Sequence, residues 1–153
     1  MFCNYQEDGM KNEEDLLKLE QQVCFPIYTL SKEIVSMYRP YLDALDISYP
    51  QYLVLMVLWE AEQATVSMIC DKLYLDTGTI TPMLKRMEAK ELVARTRQKE
   101  DERVVLITLT KKGKDLKKKA AHIPHKLLED IDLSREELIF LRSITTKILK
   151  KYK

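Results

Sequence analysis

Apolar side chains at Leu16, Leu19, Val23, Ile27, Leu30, Ile34, Met37, Tyr41 and Leu45 recur at steps of three and four residues. That spacing is the mark of a helix. Two prolines punctuate it. Proline is tolerated in the first turn of a helix and is costly inside it. The main helix is therefore expected to start near Phe25, after a helical turn or two ending around Val23, and to kink or end at Pro40.

Ser48-Tyr-Pro-Gln51 has the form of a capping box with proline in the first turn, and it opens an apolar run through Trp59. Thr65 is placed to cap a short helix reaching Leu73. Asp76 is placed to cap another, from Thr77 to about Lys90, with Ile80, Met83, Leu84 and Met87 facing inward. The period then changes. Residues 92–98 and 103–109 are rich in β-branched side chains and flank the charged segment 99–102, a hairpin signal. Thr110 caps a long lysine-rich helix broken at Pro124, and Ser134-Arg-Glu-Glu137 is a second capping box for a final helix to about Tyr152. Three helices followed by a hairpin, with long helices outside, predict a mainly α chain with a small β-hairpin, a winged helix-turn-helix.

Composition agrees with that class. Only three glycines occur among 153 residues, leaving few positions for tight turns or a phosphate-cradling loop. The apolar fraction of 46% is too high for disorder. The longest apolar run, Tyr52 to Trp59, is far short of the roughly 20 residues that span a bilayer. The N-terminus lacks the basic and apolar regions of a secretory signal, so a cytoplasmic protein without membrane contact is expected. Three cysteines, Cys3, Cys24 and Cys70, form neither a disulfide framework nor a metal-like cluster. In a reducing compartment a special cysteine is more often reactive than structural. His122 and His125 flank Pro124 without a carboxylate–cysteine cluster, and neither a metal nor another cofactor is expected.

Net charge is +1, which by itself suggests indifference to nucleic acid. Splitting it by segment changes that. Residues 1–25 hold two lysines against six carboxylates, a net −4, whereas residues 85–119 hold thirteen cations against six carboxylates, a net +7. The basic segment covers the end of the helix opened by Asp76 and the whole hairpin, a hint of a polyanion partner. Thr77, Thr79 and Thr81 lie in the first turns of that helix, where hydroxyls and methyls suit base edges, and Lys85 and Arg86 follow within reach of phosphate. Arg95, Arg97, Lys99 and Arg103 place four cations on the hairpin. Arg103 at its tip suits a narrow minor groove, and Asp101 is expected to hold its guanidinium. Taken singly, each element fits a solvated surface equally well; together they point to double-stranded DNA.

Residues 73–88, Leu-Tyr-Leu-Asp-Thr-Gly-Thr-Ile-Thr-Pro-Met-Leu-Lys-Arg-Met-Glu, and 101–110, Asp-Glu-Arg-Val-Val-Leu-Ile-Thr-Leu-Thr, resemble MarR-family transcriptional repressors. Gln22-Val-Cys-Phe-Pro-Ile-Tyr28 and Ser48-Tyr-Pro-Gln-Tyr-Leu-Val-Leu55 are similar to the OhrR branch, the organic-hydroperoxide-sensing repressors, in its one-cysteine form. The resemblance runs from about Leu19 to the C-terminus. It implies a homodimer bound to an inverted-repeat operator, with residues 15–47 and 111–153 as dimerisation helices, 48–110 as the winged helix-turn-helix and 1–14 as an acidic flexible head. It places the sensor at Cys24 and matches Tyr38 and Tyr49 to the two tyrosines that the partner subunit offers to the sensor sulfur. It also matches Thr77, Thr79, Thr81, Arg86, Asp101 and Arg103 to DNA contacts. Pro26 departs from the small helix formers usual there. With Pro26 in the first turn, Cys24 is expected just beyond the helix N-terminus, where the positive end of the dipole favours negative charge.

The chemistry so implied is attack of the Cys24 sulfur on an organic hydroperoxide, followed by reversible capping with a small thiol. Phe25, Ile27 and Tyr28 are the expected apolar approach for the peroxide. Cys70 is expected in the core. Cys3 is a weak candidate as a resolving thiol, since there is no cysteine C-terminal of Cys70. A different regulator, released by non-covalent binding of a small phenolic or aromatic ligand, fits the same fold. A thiol peroxidase is the non-regulatory alternative, but no further catalytic constellation accompanies the cysteine, so no enzyme is expected.

Overall fold

Five helix starts among the described residues are closed from within the local sequence. In the computed structural model, which describes residues 17–99 and 101–152, side-chain oxygens of Ser48, Thr65, Asp76, Thr110 and Ser134 each accept from a backbone N–H three residues on. Both expected capping boxes are complete, Gln51 and Glu137 returning a bond to the backbone amides of Ser48 and Ser134 at 3.0 and 2.9 Å. Each such cap contributes about 1 kcal/mol. The acidic head, residues 1–14, lies outside the described residues.

The helices and strands that result are α1 Cys24–Asp43, α2 Tyr49–Ala61, β1 Gln63–Thr65, α3 Val66–Leu73, α4 Thr77–Ala89, β2 Val93–Arg97, β3 Val105–Leu109, α5 Lys111–Ala120, α6 Ile123–Ile131 and α7 Arg135–Leu149. Short 3-10 turns precede α1 at Leu19–Gln21 and follow α7 at Lys150–Tyr152. The chain divides into two units, residues 1–37 and residues 38–153. The first holds the Leu19–Gln21 turn and α1 as far as Met37, and Lys32 sits over the Tyr28 ring at 5.4 Å. The second holds the sheet and the core.

That core is built around α2, which buries Tyr52, Val54, Leu55, Val57 and Leu58 and so faces protein on most of its circumference. Leu42, Ile47, Ile69, Ile80, Leu84, Met87, Leu92, Val93, Ile107 and Ile123 complete it, each nearly or fully buried. Burying one such side chain is worth about 1.5–3 kcal/mol. The inward set expected for the helix after Asp76 is borne out: Ile80, Met83, Leu84 and Met87 are all buried. Cys70 is buried too.

Several expectations are corrected or extended. Of the two outcomes expected at Pro40, a kink or an end, the end does not occur there: Pro40 sits in the last turn, and the helix continues to Asp43, with Leu42 anchored in the core at 1% exposure. Cys24 is the first residue of α1 rather than lying just outside it. The expected hairpin does form, and a third strand extends it to an antiparallel sheet in the order β1-β3-β2, with Ala64 opposite Ile107 and Arg95 opposite Ile107 from the other side. Three residues are too few for an alternation to register, so β1 leaves no signal in the sequence. The lysine-rich helix ends at Ala120, ahead of Pro124, which occupies the first turn of α6. Turns after the helices are made without glycine. Asp46, Glu62, Tyr74, Glu91 and Asp132 all take positive φ.

Gly113 is fixed by packing. A Cβ there would stand 2.1 Å from the carbonyl oxygen of Leu92, so α5 can approach the start of β2 only without one. At the same residue the Trp59 indole donates from Nε1 to the Gly113 carbonyl oxygen at 2.9 Å, joining α2 to α5.

Candidate functional site

Two groups of predicted residues are assembled separately by the fold. The first lies on α4 and the β2–β3 hairpin. Asp76 caps α4 with both carboxylate oxygens: Oδ1 accepts from the Thr79 backbone N–H at 2.8 Å, and Oδ2 accepts from the Thr79 hydroxyl at 2.8 Å. Those bonds hold the Asp76 carboxyl below the usual carboxylate range. Thr77, Thr79, Lys85 and Arg86 are exposed and Thr81 is half-buried, while the opposite face of α4 supplies the core. The exposed face is thus polar, with hydroxyls toward the helix N-terminus and cations one to two turns later.

The hairpin carries its cations unequally. Arg97, Lys99 and Arg103 are exposed. Arg95 instead turns toward α4, where its Nη1 donates to Glu88 Oε2 at 3.3 Å. Its Nε is buried without a partner among the described residues. At the tip, Asp101 holds Arg103 by a different bond from the one expected: its Oδ1 accepts from the Arg103 backbone N–H at 2.9 Å. The Val104 N–H closes the turn onto the Asp101 carbonyl oxygen at 3.0 Å. The carboxylate therefore shapes the turn, leaving the guanidinium to project from it. At the far end of α4, Lys90 donates from Nζ to Asp46 Oδ1 at 2.7 Å, and Lys112 donates to the Lys90 carbonyl oxygen at 2.9 Å. Cations at a helix C-terminus complement its dipole.

The second group is aromatic. The rings of Tyr38 and Tyr49, the two tyrosines singled out from the sequence, lie 4.7 Å apart between centroids. Tyr52 joins them at 5.7 Å from Tyr38 and 6.5 Å from Tyr49, and Trp59 packs edge-on against Tyr52 at 5.9 Å. Burial, with the neighbouring Tyr49 and Tyr52 hydroxyls, pushes the Tyr38 phenol up to about 12; burial also raises Tyr49 and Tyr52. Cys24 is exposed at the start of α1, and Phe25, Ile27 and Tyr28 beside it are exposed at 44%, 49% and 63%. Phe25 lines a shallow depression with Lys18, Leu19 and Glu20. Burial raises the Cys70 thiol, which suits an inert core residue.

Among the described residues no group of three or more His, Cys, Asp or Glu is placed to hold a metal ion. His125 pairs with Glu129 at 3.1 Å, and His122 packs edge-on to Tyr41. No helix of the described residues is long and apolar enough to cross a membrane.

Comparison with known proteins places this geometry. Residues 36–120 match the family described as transcriptional regulator SarA/Rot. The structure of reduced AbfR bound to DNA, from a protein of Staphylococcus epidermidis, superposes with a TM-score of 0.77 at 32% identity, covering 92% of this chain and 99% of that one. Reduced MarR from E. coli superposes with a TM-score of 0.68 at 26% identity, covering 84% and 96%. The organic hydroperoxide resistance transcriptional regulator of Bacillus subtilis is 50% identical over 141 residues, 92% of this chain and 96% of the relative. The chain belongs to the MarR family, in its organic hydroperoxide resistance branch. This MarR-family chain is a DNA-binding transcriptional regulator with a winged helix, not an enzyme.

Three residues of the MarR-family chain that shape these groups escaped the sequence reading. Tyr52 and Trp59 follow Tyr49 at three and ten residues, spacings that share one face of α2, so a search for aromatic periodicity would have found them. Glu88 had no such signal. Its pairing with Arg95 depends on how β2 returns beside α4.

Proposed function

We propose that this regulator represses by binding an inverted-repeat operator as a homodimer, senses organic hydroperoxides through Cys24, and releases DNA on oxidation. The observation that carries the reading is an exposed thiol at the first residue of α1, set among apolar side chains that a single chain leaves uncovered. Residues 48–110 form the DNA-binding region, reading bases with Thr77, Thr79 and Thr81 and phosphates with Lys85, Arg86 and the wing cations. Residues 15–47 and 111–153 supply the dimer contacts. α7 buries nothing in the single chain and exposes Ile139, Phe140, Ile144 and Ile148, a stripe that a second copy would cover.

The Cys24 thiolate attacks one peroxide oxygen. The O–O bond breaks, the alkoxide leaves and takes a proton to become an alcohol, and sulfur is oxidised by two electrons to the sulfenic acid. A small thiol then condenses with it, forming a disulfide and releasing water, and a second thiol restores the sensor. Phe25, Ile27 and Tyr28 form the apolar approach for the hydroperoxide. Tyr38 and Tyr49 of the partner subunit, neutral hydroxyl donors at every physiological pH, hold the reduced sulfur. Oxidation removes those hydrogen bonds, rearranges the dimer helices and alters the spacing of the two α4 helices. Half-sites one helical turn apart tolerate little change, and passage from specific to non-specific binding costs about 4–10 kcal/mol. The agreement with the resistance regulator of Bacillus subtilis over nearly its whole length supports this assignment.

The test is operator binding by reduced, cumene-hydroperoxide-treated and re-reduced protein, for wild type and Cys24→Ser. Wild type should release DNA on oxidation and recover it on reduction, while Cys24→Ser stays bound throughout. Release of Cys24→Ser by peroxide would sink the mechanism. A second reading, release by a small phenolic ligand, has one observation in its favour: a cleft of about 720 Å³ at the base of α4, lined by Ser48, Gln51, Met83, Arg86 and Lys90 but also by the carboxylates of Asp43 and Asp46. It requires that such a ligand release Cys24→Ser without any oxidant.

A further inference from the structure

The Thr79 hydroxyl has one proton, and the structure shows where it goes. Thr79 Oγ1 lies 2.8 Å from Asp76 Oδ2, and a carboxylate only accepts, so the hydroxyl donates to Asp76. Asp76 cannot turn away, because its other oxygen takes the Thr79 backbone N–H at 2.8 Å. Gly78 lies beside this cap: a Cβ there would stand 2.9 Å from Asp76 Oδ1, which a small shift of the carboxylate would relieve. Asp76 and Thr79 thus form one device on the exposed first turn of α4.

We propose that Asp76 sets the hydrogen-bonding polarity of Thr79, so that Thr79 meets the major groove as an acceptor and selects adenine or cytosine over guanine or thymine at one position of each half-site. The inference rests on the assignment of α4 as the reading helix and adds what one of its residues reads. In the major groove adenine and cytosine present an amino donor, whereas guanine O6 and thymine O4 are acceptors. An acceptor held against an acceptor loses its water and gains no bond. Asp76 is a positioning residue here; Thr79 makes the contact.

The substitution that isolates this is Asp76→Asn. Asparagine caps helices about as well as aspartate. Its one amide oxygen must stay on the Thr79 N–H, which puts the NH2 group where Oδ2 was. That group donates to Thr79 Oγ1, and the hydroxyl proton is driven outward. Thr79 becomes a donor toward the groove.

The experiment is selection from a double-stranded DNA library randomised across both half-sites, using the reduced full-length protein, with thermal melting to check folding. Wild type should enrich adenine or cytosine about tenfold over guanine or thymine at one symmetric position. Asp76→Asn should reverse that preference toward guanine or thymine. Thr79→Val should flatten the same position alone, and Thr79→Ser should keep the wild-type preference. General tightening of Asp76→Asn, from removal of a negative charge near phosphate, would raise all sequences alike and leave the ratios to report polarity. If Asp76→Asn selects the wild-type bases at every position, the proposal is overturned. It is also overturned if Thr79→Val leaves the profile unchanged. A wild-type selection with no enriched position would sink the reading of α4 itself, and this inference with it.

Discussion

The phenol rings of Tyr38 and Tyr49 stand 4.7 Å apart, although one residue lies in the C-terminal half of α1 and the other opens α2. Tyr52 lies against both. Three hydroxyls brought together in a partly desolvated cluster resist ionisation, since each phenolate would be poorly hydrated and would repel the next.

That resistance fixes a pH dependence. Below pH 10 Tyr38 is neutral in folded and unfolded chains alike. Between its ordinary value of 10 and about 12 the unfolded chain gives up the proton while the folded chain keeps it. Stability is therefore fully present below pH 10 and falls as pH rises toward 12. A phenolate absorbance titration should show a late phase near pH 12 that disappears in Tyr38→Phe. A titration in which all eight tyrosines ionise together near 10 would contradict the cluster.

The wing cations should divide in their salt response. Arg97→Ala and Arg103→Ala are each expected to lower the log–log salt slope of DNA binding by roughly 0.9, the loss of one neutralised phosphate. Arg95→Ala should change the slope much less, because Arg95 is engaged by Glu88 at 3.3 Å. Equal slope changes for all three would mean that the Glu88 pair opens on DNA.

The proposed dimer should be sensitive to charge on the uncovered α7. Phe140, 68% exposed in the single chain, is expected at the subunit contact. Phe140→Glu or Ile144→Asp should shift the dimer to monomer by sedimentation. Circular dichroism of the winged helix should persist, as α7 contributes no buried residue to it. Operator affinity should fall with the loss of paired half-sites. A dimer that survives both changes would place the contact elsewhere.

Gly113→Ala is the strongest packing test. Its Cβ meets a backbone oxygen at 2.1 Å, which cannot rotate aside, and the Trp59 bond to the same residue is disturbed. We expect a loss of about 3 kcal/mol in urea unfolding. Trp59→Phe, which removes only the indole donor, should cost about 1–2 kcal/mol. Comparable losses would show that α5 can slide away from Leu92.

Legibility followed the range of the interaction. Asp76 was recognisable as a cap because its partner is three residues away, and the inward set Ile80, Met83, Leu84 and Met87 because it repeats with the helix. The segment containing β1 read only as a connection. The direction of Arg95 and the bond between Asp101 and the Arg103 amide were equally invisible, since a carboxylate near an arginine in sequence has several donors to choose from.

What the sequence by itself determined was therefore the sequence of elements and their polarity. Capping boxes at Ser48 and Ser134, helical spacing on α4 and the change of period at Leu92 are local, and local free energies are written in adjacent residues. Residues such as Cys24, Tyr38, Tyr49 and the three threonines could be singled out by type and resemblance. Only the tertiary structure decided how they are grouped: Gln63–Thr65 beside Thr108–Leu106, Tyr38 against Tyr49 and Tyr52, Arg95 onto Glu88. The Thr79 proton lies on the boundary. Its donor and acceptor are three residues apart, yet which way it points follows only once the helix has formed and Asp76 has closed on it.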